Sequence, residues 1–241
     1  MESSTIKPYN ESQSKKEQIE KMFDGIAPTY DFLNRFLSLG IDIGWRKKSL
    51  QMLSKYTITH LVDIATGTGD FAIMAHTILH PGLITGIDLS AQMLEIAKKK
   101  NKIGSISFIQ ADSERLPFNE NTFDAATVAF GVRNFENLHQ GLSEVNRVLK
   151  KGAPFLVLEF SQVQKAPMKQ LFYFYSRYIL PSIGKLFSMD FKAYHYLHES
   201  MMAFPSGMTF AKKMEEAGFK FITLKTFSFG ICTAYLAEKQ Y

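Results

Sequence analysis

The chain has 241 residues, of which 46% are hydrophobic and 21% are charged. That length suits one elaborated α/β domain, and the composition excludes the fibrous, collagenous and disordered classes. A single cysteine, Cys232, allows neither an internal disulfide nor a cysteine-based zinc cluster, so we expect no structural metal. Met1 is followed by polar residues instead of an apolar signal core, which favours a cytoplasmic protein.

The net charge of +5 favours an anionic partner. It is too small to indicate a nucleic-acid-binding domain, so we expect no nucleic-acid partner. Charged residues, among them Arg177 and Lys185, interrupt the most hydrophobic region, and no run approaches the roughly 18 apolar residues of a membrane span. Any membrane contact should therefore be peripheral.

The N-terminal part of the chain is predicted to be helical. Residues 1–16 are polar and predict a mobile terminus, whereas apolar residues recur at helical spacing from Ile19. A second amphipathic stretch covers 31–39, and a third opens at Trp45. Residues 1–57 thus form a tail and a helical cap that precede the main fold.

From His60 onward, short apolar runs of strand length alternate with helix-like segments. The predicted strands are 60–65, 83–88, 106–110, 123–129 and 154–160, and the predicted helices lie near 70–79, 90–100 and 136–149. This alternation is typical of a parallel sheet with helices on both faces. A helix at 207–217 and apolar segments at 219–227 and 231–238 predict a final hairpin with one antiparallel strand.

We therefore expect a single domain, 1–241, whose core covers 58–165 and whose C-terminal helix and hairpin cover 207–241. An aromatic-rich insertion, 166–206, lies between them. Its aromatic residues are Phe172, Tyr173, Phe174, Tyr175, Tyr178, Phe187, Phe191, Tyr194, Tyr196 and Phe204. They could wall a pocket for a large apolar ligand, or they could form a cover that packs on the sheet.

The strongest local signal is a glycine turn after the first strand, where Gly67, Thr68 and Gly69 precede a helix. Backbone N–H groups in such a turn can approach a ligand that a Cβ would hold away. Read as G-x-G-x-x-A, the turn also fits the dinucleotide fingerprint, with Asp88 about twenty residues on. The turn alone does not separate NAD from another adenosine cofactor.

Acidic residues at three successive strand ends decide between these cofactors. Asp63 can hold the ammonium of an amino-acid moiety through its neighbours, Asp88 can accept both ribose hydroxyls, and Asp112 with Ser113 can meet the adenine edge. Each acid alone could be a helix cap, but together they point to S-adenosylmethionine. The predicted cofactor-binding residues are Asp63, Gly67, Thr68, Gly69, Asp88, Asp112 and Ser113.

Several of these motifs, in this order, resemble class I S-adenosylmethionine-dependent methyltransferases. The segments 130–134 (Phe-Gly-Val-Arg-Asn) and 158–161 (Leu-Glu-Phe-Ser) resemble, more narrowly, the UbiE/MenG family of quinone-biosynthesis C-methyltransferases. The resemblance covers about residues 20–237. It implies a Rossmann-like, mostly parallel seven-stranded sheet with one antiparallel strand, and methylation of a lipid-tailed quinol, either a demethylmenaquinol or a ubiquinol precursor.

The sequence departs from the family pattern at three places. Thr66 stands where many members have glycine, 151–153 (Lys-Gly-Ala) replaces the usual Pro-Gly-Gly, and His195 lies where an arginine is expected. His195 and His198 form an i, i+3 pair, to which we assign no metal.

Carbon methylation needs a nucleophilic ring carbon, which forms when the adjacent hydroxyl loses its proton. Arg133 is a good cation but a poor base, so we predict that Arg133 and Asn134 stabilise the oxyanion. Asp70, or a water that it orients, is the predicted proton acceptor; alternatively, Asp70 only caps its helix.

Two other functions stay open at this stage: a methyltransferase of the same fold that acts on another small molecule or on nucleic acid, and an NAD-binding oxidoreductase. For a lipid-tailed substrate, we expect weak contact with an anionic membrane. The face predicted to make that contact comprises Arg35, Arg46, Lys47 and Lys48 beside Phe32, Phe36, Leu37 and Trp45.

Overall fold

The computed structural model describes residues 6–9, 12–179, 182 and 191–240, with residue 191 described by its backbone alone. The helices are α1 (Lys15–Ser38), α2 (Ile41–Leu50), α3 (Asp70–Leu79), α4 (Ala91–Lys100), α5 (Leu138–Val148), α6 (Met168–Phe174), α7 (Phe191–Ala203) and α8 (Met208–Glu216). The strands are β1 (His60–Ile64), β2 (Leu83–Asp88), β3 (Ile106–Gln110), β4 (Ala125–Ala129), β5 (Pro154–Phe160), β6 (Phe219–Phe227) and β7 (Cys232–Lys239). Short helical turns cover Gln51–Leu53, Val132–Asn134, Tyr175–Ile179 and Ser228–Gly230.

The seven strands form one sheet in the order β3-β2-β1-β4-β5-β7-β6. Strands β1 to β5 are parallel, whereas β7 runs antiparallel to both β5 and β6. The predicted α/β fold with one antiparallel strand is confirmed. Because β1 lies between β2 and β4, the strand order reverses beside it, and a crevice opens there at the carboxyl ends of the strands.

Strands β1, β4 and β7 differ from the prediction, and β7 covers Cys232–Lys239 instead of 231–238. β1 ends at Ile64, because Ala65 adopts a φ of +51° and leaves the strand conformation. β4 begins at Ala125, because Phe123 only makes an isolated bridge with Leu149.

Both faces of the sheet are covered, as the alternation along β5 shows. Phe155 and Val157 belong to the core under α5 and α8, whereas Leu156 and Leu158 belong to the core under α2 and α3. Side chains alternate across a strand, so a strand buried on both faces reads as one continuous apolar run.

The helical cap differs from its prediction in two ways. The stretches read as two amphipathic segments form the single 24-residue helix α1, which continues through Pro28. That helix begins at Lys15, not after residue 16, because Ser14 and Glu17 form a reciprocal capping box. The predicted mobile terminus is therefore wrong for Lys15 and Lys16, and residues 1–5, 10 and 11 lie outside the described residues.

The aromatic insertion supplies α6, the turn Tyr175–Ile179 and α7. Phe204 packs on Phe210 in the core of the sheet, whereas Phe174 and Tyr178 are exposed. Phe187 and the side chain of Phe191 lie outside the described residues.

Within the described ranges, no helix is both long and apolar enough to cross a membrane. The histidine, cysteine, aspartate and glutamate residues in those same ranges form no group of three that could hold a metal ion.

Candidate active site

The glycine turn connects β1 to α3 at the crevice of the sheet. Gly67 and Gly69 have φ values of +56° and +80°, which side chains rarely tolerate. A Cβ on Gly69 would also lie 3.0 Å from Cζ of Phe108. The glycines therefore allow the chain to turn tightly against β3. The backbone N–H of Gly67 binds Asp88, and that of Gly69 binds the carbonyl of Thr66.

Asp88 ends β2 beside this turn. Its carboxylate accepts hydrogen bonds from the backbone N–H of Gly67 at 2.8 Å and of Ser90 at 2.9 Å. Burial raises its pKa to about 6, although these backbone donors oppose the shift. The carboxylate holds the glycine turn and still lines the crevice.

Asp63 is fully buried one strand away. It accepts hydrogen bonds from the hydroxyls of Thr66 and Thr127, both at 2.6 Å, and burial raises its pKa to about 6. The carboxylate thus joins the start of the glycine turn to β4, and it can act on a ligand only through these neighbours.

We call the crevice between α1 and the carboxyl ends of the strands the strand-end cleft. Asp112 and Ser113 line it after β3, and Asn134 lines it after β4. From α1, Lys16 reaches across to Asp112 with an Nζ to Oδ2 distance of 2.5 Å. The cleft therefore has a carboxylate at two strand ends and a helix over its opening.

Thr68 and Asp70 belong to an ion-pair network behind the cleft. The Thr68 hydroxyl donates to Asp31 at 2.6 Å, and Lys100 pairs with both Asp31 and Asp70. Arg35 binds the second oxygen of Asp70 at 3.0 Å. Burial would raise the pKa of Asp70, but the ion pairs outweigh it and hold the pKa below its usual value.

A second cavity of about 510 Å³, the apolar cavity, lies between α1, α2, α6 and α7. Aromatic and aliphatic side chains form most of its wall, including Phe172, Tyr175, Tyr194 and Tyr196 of the insertion. Its charged lining residues, among those that the structure describes, are Asp42, Arg46 and Arg133.

Arg133 is 7% exposed and lies on the helical turn after β4. Its Nη1 donates to Oε1 of the fully buried Glu159 at 2.8 Å and to the carbonyl of Phe130. Burial raises the pKa of Glu159, and Arg133 opposes that shift. The next residue, Asn134, accepts a hydrogen bond from the Tyr196 hydroxyl at 3.1 Å.

Arg46 is the second guanidinium on the wall of the apolar cavity, and it is 9% exposed. Its Nε lies 3.4 Å from Oδ2 of Asp42, one helical turn earlier on α2. Its guanidinium lies over the ring of Phe130, and that of Arg133 lies over the ring of Phe160, with the two rings 4.7 Å apart. Two cations thus flank one aromatic pair.

The strand-end cleft and the apolar cavity share part of their walls. Phe23 and Tyr30, both on α1, line both spaces, and so does Phe130 after β4. A polar, carboxylate-bearing cleft therefore opens beside an apolar cavity, which is the arrangement that a transfer between two bound molecules requires.

The ubiE/COQ5 methyltransferase family model matches residues 11–239. A demethylmenaquinone methyltransferase of Bacteroides fragilis is 46% identical over 238 residues, with 97% of each chain covered. The ubiquinone/menaquinone biosynthesis C-methyltransferase UbiE of Geotalea daltonii is 43% identical, covering 93% of this chain and 97% of that protein. The chain belongs to the ubiE/COQ5 methyltransferase family. A SAM-dependent methyltransferase of Thermotoga maritima, 18% identical, has the same fold, with a TM-score of 0.66 over 92% of this chain and 100% of its own.

Membership in the ubiE/COQ5 family confirms the predicted family, the methyltransferase activity and S-adenosylmethionine as its cofactor. The oxidoreductase alternative is wrong.

The structure brings half of the predicted site residues of this ubiE/COQ5 methyltransferase to the strand-end cleft. These are Gly67, Asp88, Asp112, Ser113 and Asn134. Arg133 lines the apolar cavity, whereas Asp63, Thr68, Gly69 and Asp70 line neither space.

Sequence reasoning missed the contribution of α1 and placed one arginine on the wrong face. The spacing of Phe23 and Tyr30, i and i+7, would have placed both on one side of a helix. Arg46 and Trp45 are buried, so they are not part of a membrane-contacting surface as predicted. Arg35 is held by Asp70.

Proposed function

We propose that this protein transfers a methyl group from S-adenosylmethionine to a ring carbon of a demethylmenaquinol. The observation that carries the proposal is the contact between the two spaces at Phe23, Tyr30 and Phe130. A quinol ring that enters from the apolar cavity reaches that contact, and its prenyl tail stays among aromatic and aliphatic side chains. The smaller ring of a ubiquinol precursor is the alternative acceptor.

The strand-end cleft fits the cofactor. We assign Asp88 to the two ribose hydroxyls, Asp112 and Ser113 to the adenine edge, and Gly67 to a close approach of the backbone; all four residues line the cleft. Asp63 and Thr68 act by fixing the turn, through Thr66 and Asp31 respectively. When bound there, S-adenosylmethionine supplies an electrophilic methyl group on a cationic sulfur.

Arg133 and Asn134 stabilise the quinol oxyanion, as the sequence suggests. Glu159 fixes the guanidinium of Arg133 from the buried side, and Tyr196 fixes the amide of Asn134. Arg46 offers a second cation on the same aromatic pair, suited to the other ring oxygen. A cation near a hydroxyl favours loss of its proton, which makes the adjacent ring carbon nucleophilic.

The proton acceptor needs a different residue from the predicted one. Asp70 lines neither space, and its ion pairs lower its pKa, which makes it a weaker base. Asp42 is the carboxylate that lines the apolar cavity in the described part of the chain, and Ser38 holds its Oδ1 at 2.7 Å. Asp42 therefore replaces Asp70 as the proton acceptor in the proposal.

The test is a methylation assay with a short-tailed demethylmenaquinol and, in parallel, a benzoquinol. Truncating Arg133 alone would leave Glu159 buried and unpaired, which costs about 3–5 kcal/mol of stability. We therefore compare Arg133→Gln/Glu159→Gln, which removes both charges, with wild type. We expect the rate to fall about 10²-fold, as for loss of an oxyanion donor, with cofactor affinity unchanged.

An unaltered rate in the folded double variant would exclude Arg133 from the chemistry. No methylation of either quinol by wild type would overturn the proposed function.

A lipid-tailed quinol resides in a bilayer, so the proposal includes reversible, peripheral contact with an anionic membrane on the cytoplasmic side. The proposed reaction uses the strand-end cleft and the apolar cavity for the cofactor and the quinol, and it involves no nucleic-acid partner.

A further inference from the structure

The opening of the apolar cavity is surrounded by exposed apolar side chains from three separate segments. They are Leu39 at the end of α1 and Ile41 at the start of α2, Leu171, Phe174 and Tyr178 of α6 and its following turn, and Phe229 of the β6–β7 turn. We call this set the mouth face. We propose that the mouth face is the docking surface for an anionic bilayer. This proposal rests on the proposed function, because the bilayer would deliver the lipid-tailed quinol.

The three segments form one continuous surface around the cavity. Each contributes lining residues to it, such as Leu39, Leu171 and Ile231. The Tyr175 hydroxyl donates to the carbonyl of Leu37 at 2.5 Å, and Trp45 Nε1 donates to Ser228 Oγ at 2.9 Å. These bonds tie the insertion to α1 and the hairpin turn to α2, so the mouth face is a built surface.

Two apolar side chains of the mouth face are almost fully exposed to water. Leu39 is 82% exposed and ends α1 as its left-handed C-cap residue, with its N–H bonded to the carbonyl of Phe36. Phe229 is 81% exposed with a φ of +58°. Insertion into the boundary between headgroups and acyl chains would bury both.

Charge around the mouth face matches an anionic surface. Residues 164–179 and 217–231 contain no aspartate or glutamate, and Asp42, the acid within 32–48, is buried. The same three stretches of sequence, 32–48, 164–179 and 217–231, also carry exposed basic residues, which include Lys47, Lys48, Lys165, Lys169, Arg177 and Lys225. Basic residues near an anionic leaflet attract it over about a Debye length, so docking should weaken in salt.

The test is co-sedimentation with phosphatidylglycerol-containing vesicles and with pure phosphatidylcholine vesicles, at low and high salt. Phe229→Glu and Phe174→Glu each place one carboxylate on the mouth face, at residues that do not line the apolar cavity. As a control, Leu83→Glu also replaces an exposed apolar side chain by a carboxylate, but at the amino end of strand β2. We expect wild type and Leu83→Glu to bind anionic vesicles at low salt, and each mouth-face variant to lose about tenfold or more in partitioning.

Activity separates this proposal from the proposed function. The Phe229→Glu and Phe174→Glu variants should methylate a short-tailed, water-soluble quinol at the wild-type rate and a vesicle-embedded, long-tailed quinol more slowly. Equal vesicle binding by all four proteins would overturn the docking surface while leaving the methylation intact. Light scattering measures self-association. If wild type self-associates without binding vesicles, and Phe229→Glu and Phe174→Glu do not self-associate, the mouth face would be assigned to contact with a second copy of the chain.

Discussion

Asp63 and Asp88 are two carboxylates that have different roles near the strand-end cleft. Burial raises the pKa of both Asp63 and Asp88 to about 6. Asp63 uses its two oxygens on threonine hydroxyls, whereas Asp88 binds backbone N–H groups and also lines the strand-end cleft. The sequence places both at strand ends but does not show which oxygens stay available, because that depends on hydroxyls from other strands.

Replacement of Asp88 by alanine should weaken the binding of S-adenosylhomocysteine by more than about 1.4 kcal/mol, since charge-assisted hydrogen bonds are each worth about 1.5–3 kcal/mol. Titration calorimetry measures the change. Thr68→Ala and Asp112→Asn should lose less, because Thr68 acts through the turn and Asp112 shares its charge with Lys16. Unchanged affinity in Asp88→Ala would place the ribose elsewhere.

The raised pKa of Asp88 predicts a pH dependence of binding with a definite sign. As the pH falls through about 6, the carboxyl takes up a proton, loses acceptor strength and binds the ribose less well. Affinity should therefore decrease below pH 6 in wild type and much less in Asp88→Asn.

Stability of the free protein has the opposite trend, because the folded state holds protons on Asp63 and Asp88 that the unfolded state releases near pH 4. Their contribution to the free energy of unfolding should fall as pH rises from about 4 to about 6.

At the scale of elements, the site depends on the close approach of two loops. A Cβ on Gly131 would lie 2.5 Å from Cβ of Ala65, where β1 turns with a φ of +51°. Both residues line the strand-end cleft, so their contact sets its width.

Gly131→Ala should therefore lower the free energy of unfolding by about 1–3 kcal/mol through overpacking and weaken cofactor binding with it. Gly25→Ala is the matched control, because Gly25 lies exposed inside α1 with no atom within 4 Å of the added Cβ. That change should stabilise the protein by about 0.5–1 kcal/mol. Urea unfolding measures both, and equal effects in the two variants would contradict the loop contact.

The elements themselves show which signals a sequence carries. The alternation of short apolar runs with helix-like segments predicts the order of strands and helices in the core, because β1, β4 and β5 are buried on both faces. The start of α1 was also present in the sequence, since Ser14 and Glu17 have the spacing of a capping box. The polar composition of residues 1–16 nevertheless predicts a tail that includes Lys15, although Lys15 is buried and donates to the carbonyls of Arg133 and Phe135.

At the scale of the whole molecule, the site is made by contacts between distant parts of the chain. Phe23, Tyr30 and Phe130 come together where the two spaces adjoin, and the guanidinium of Arg46 on α2 lies over the ring of Phe130, which follows β4. Local periodicity carries no information on such meetings. The aromatic insertion does predict a possible pocket wall, and Arg133 is predicted as an oxyanion stabiliser, whereas the sequence carries no signal that Asp42 and Arg46 line the same cavity. The direction of Arg46 depends on packing of the cap against the sheet.

The same long-range organisation predicts that filling the strand-end cleft stabilises the entire domain. A ligand at about 100 times its Kd adds about 2.7 kcal/mol to the free energy of unfolding. In a domain of this size, each kcal/mol shifts Tm by about 2–4 °C, so S-adenosylhomocysteine should raise Tm by about 5–10 °C. Differential scanning fluorimetry checks this, with NAD at the same concentration and with Asp88→Ala as controls. NAD should leave Tm unchanged. Among the described residues, the space beside the strand-end cleft is the apolar cavity, which offers no polar pocket for a second nucleotide, and Lys16 already pairs with Asp112 inside the cleft. An equal rise in Tm with NAD and with S-adenosylhomocysteine would contradict the assigned cofactor site. A full rise in Asp88→Ala would show that Asp88, at the end of β2, does not contribute to the stabilisation by S-adenosylhomocysteine.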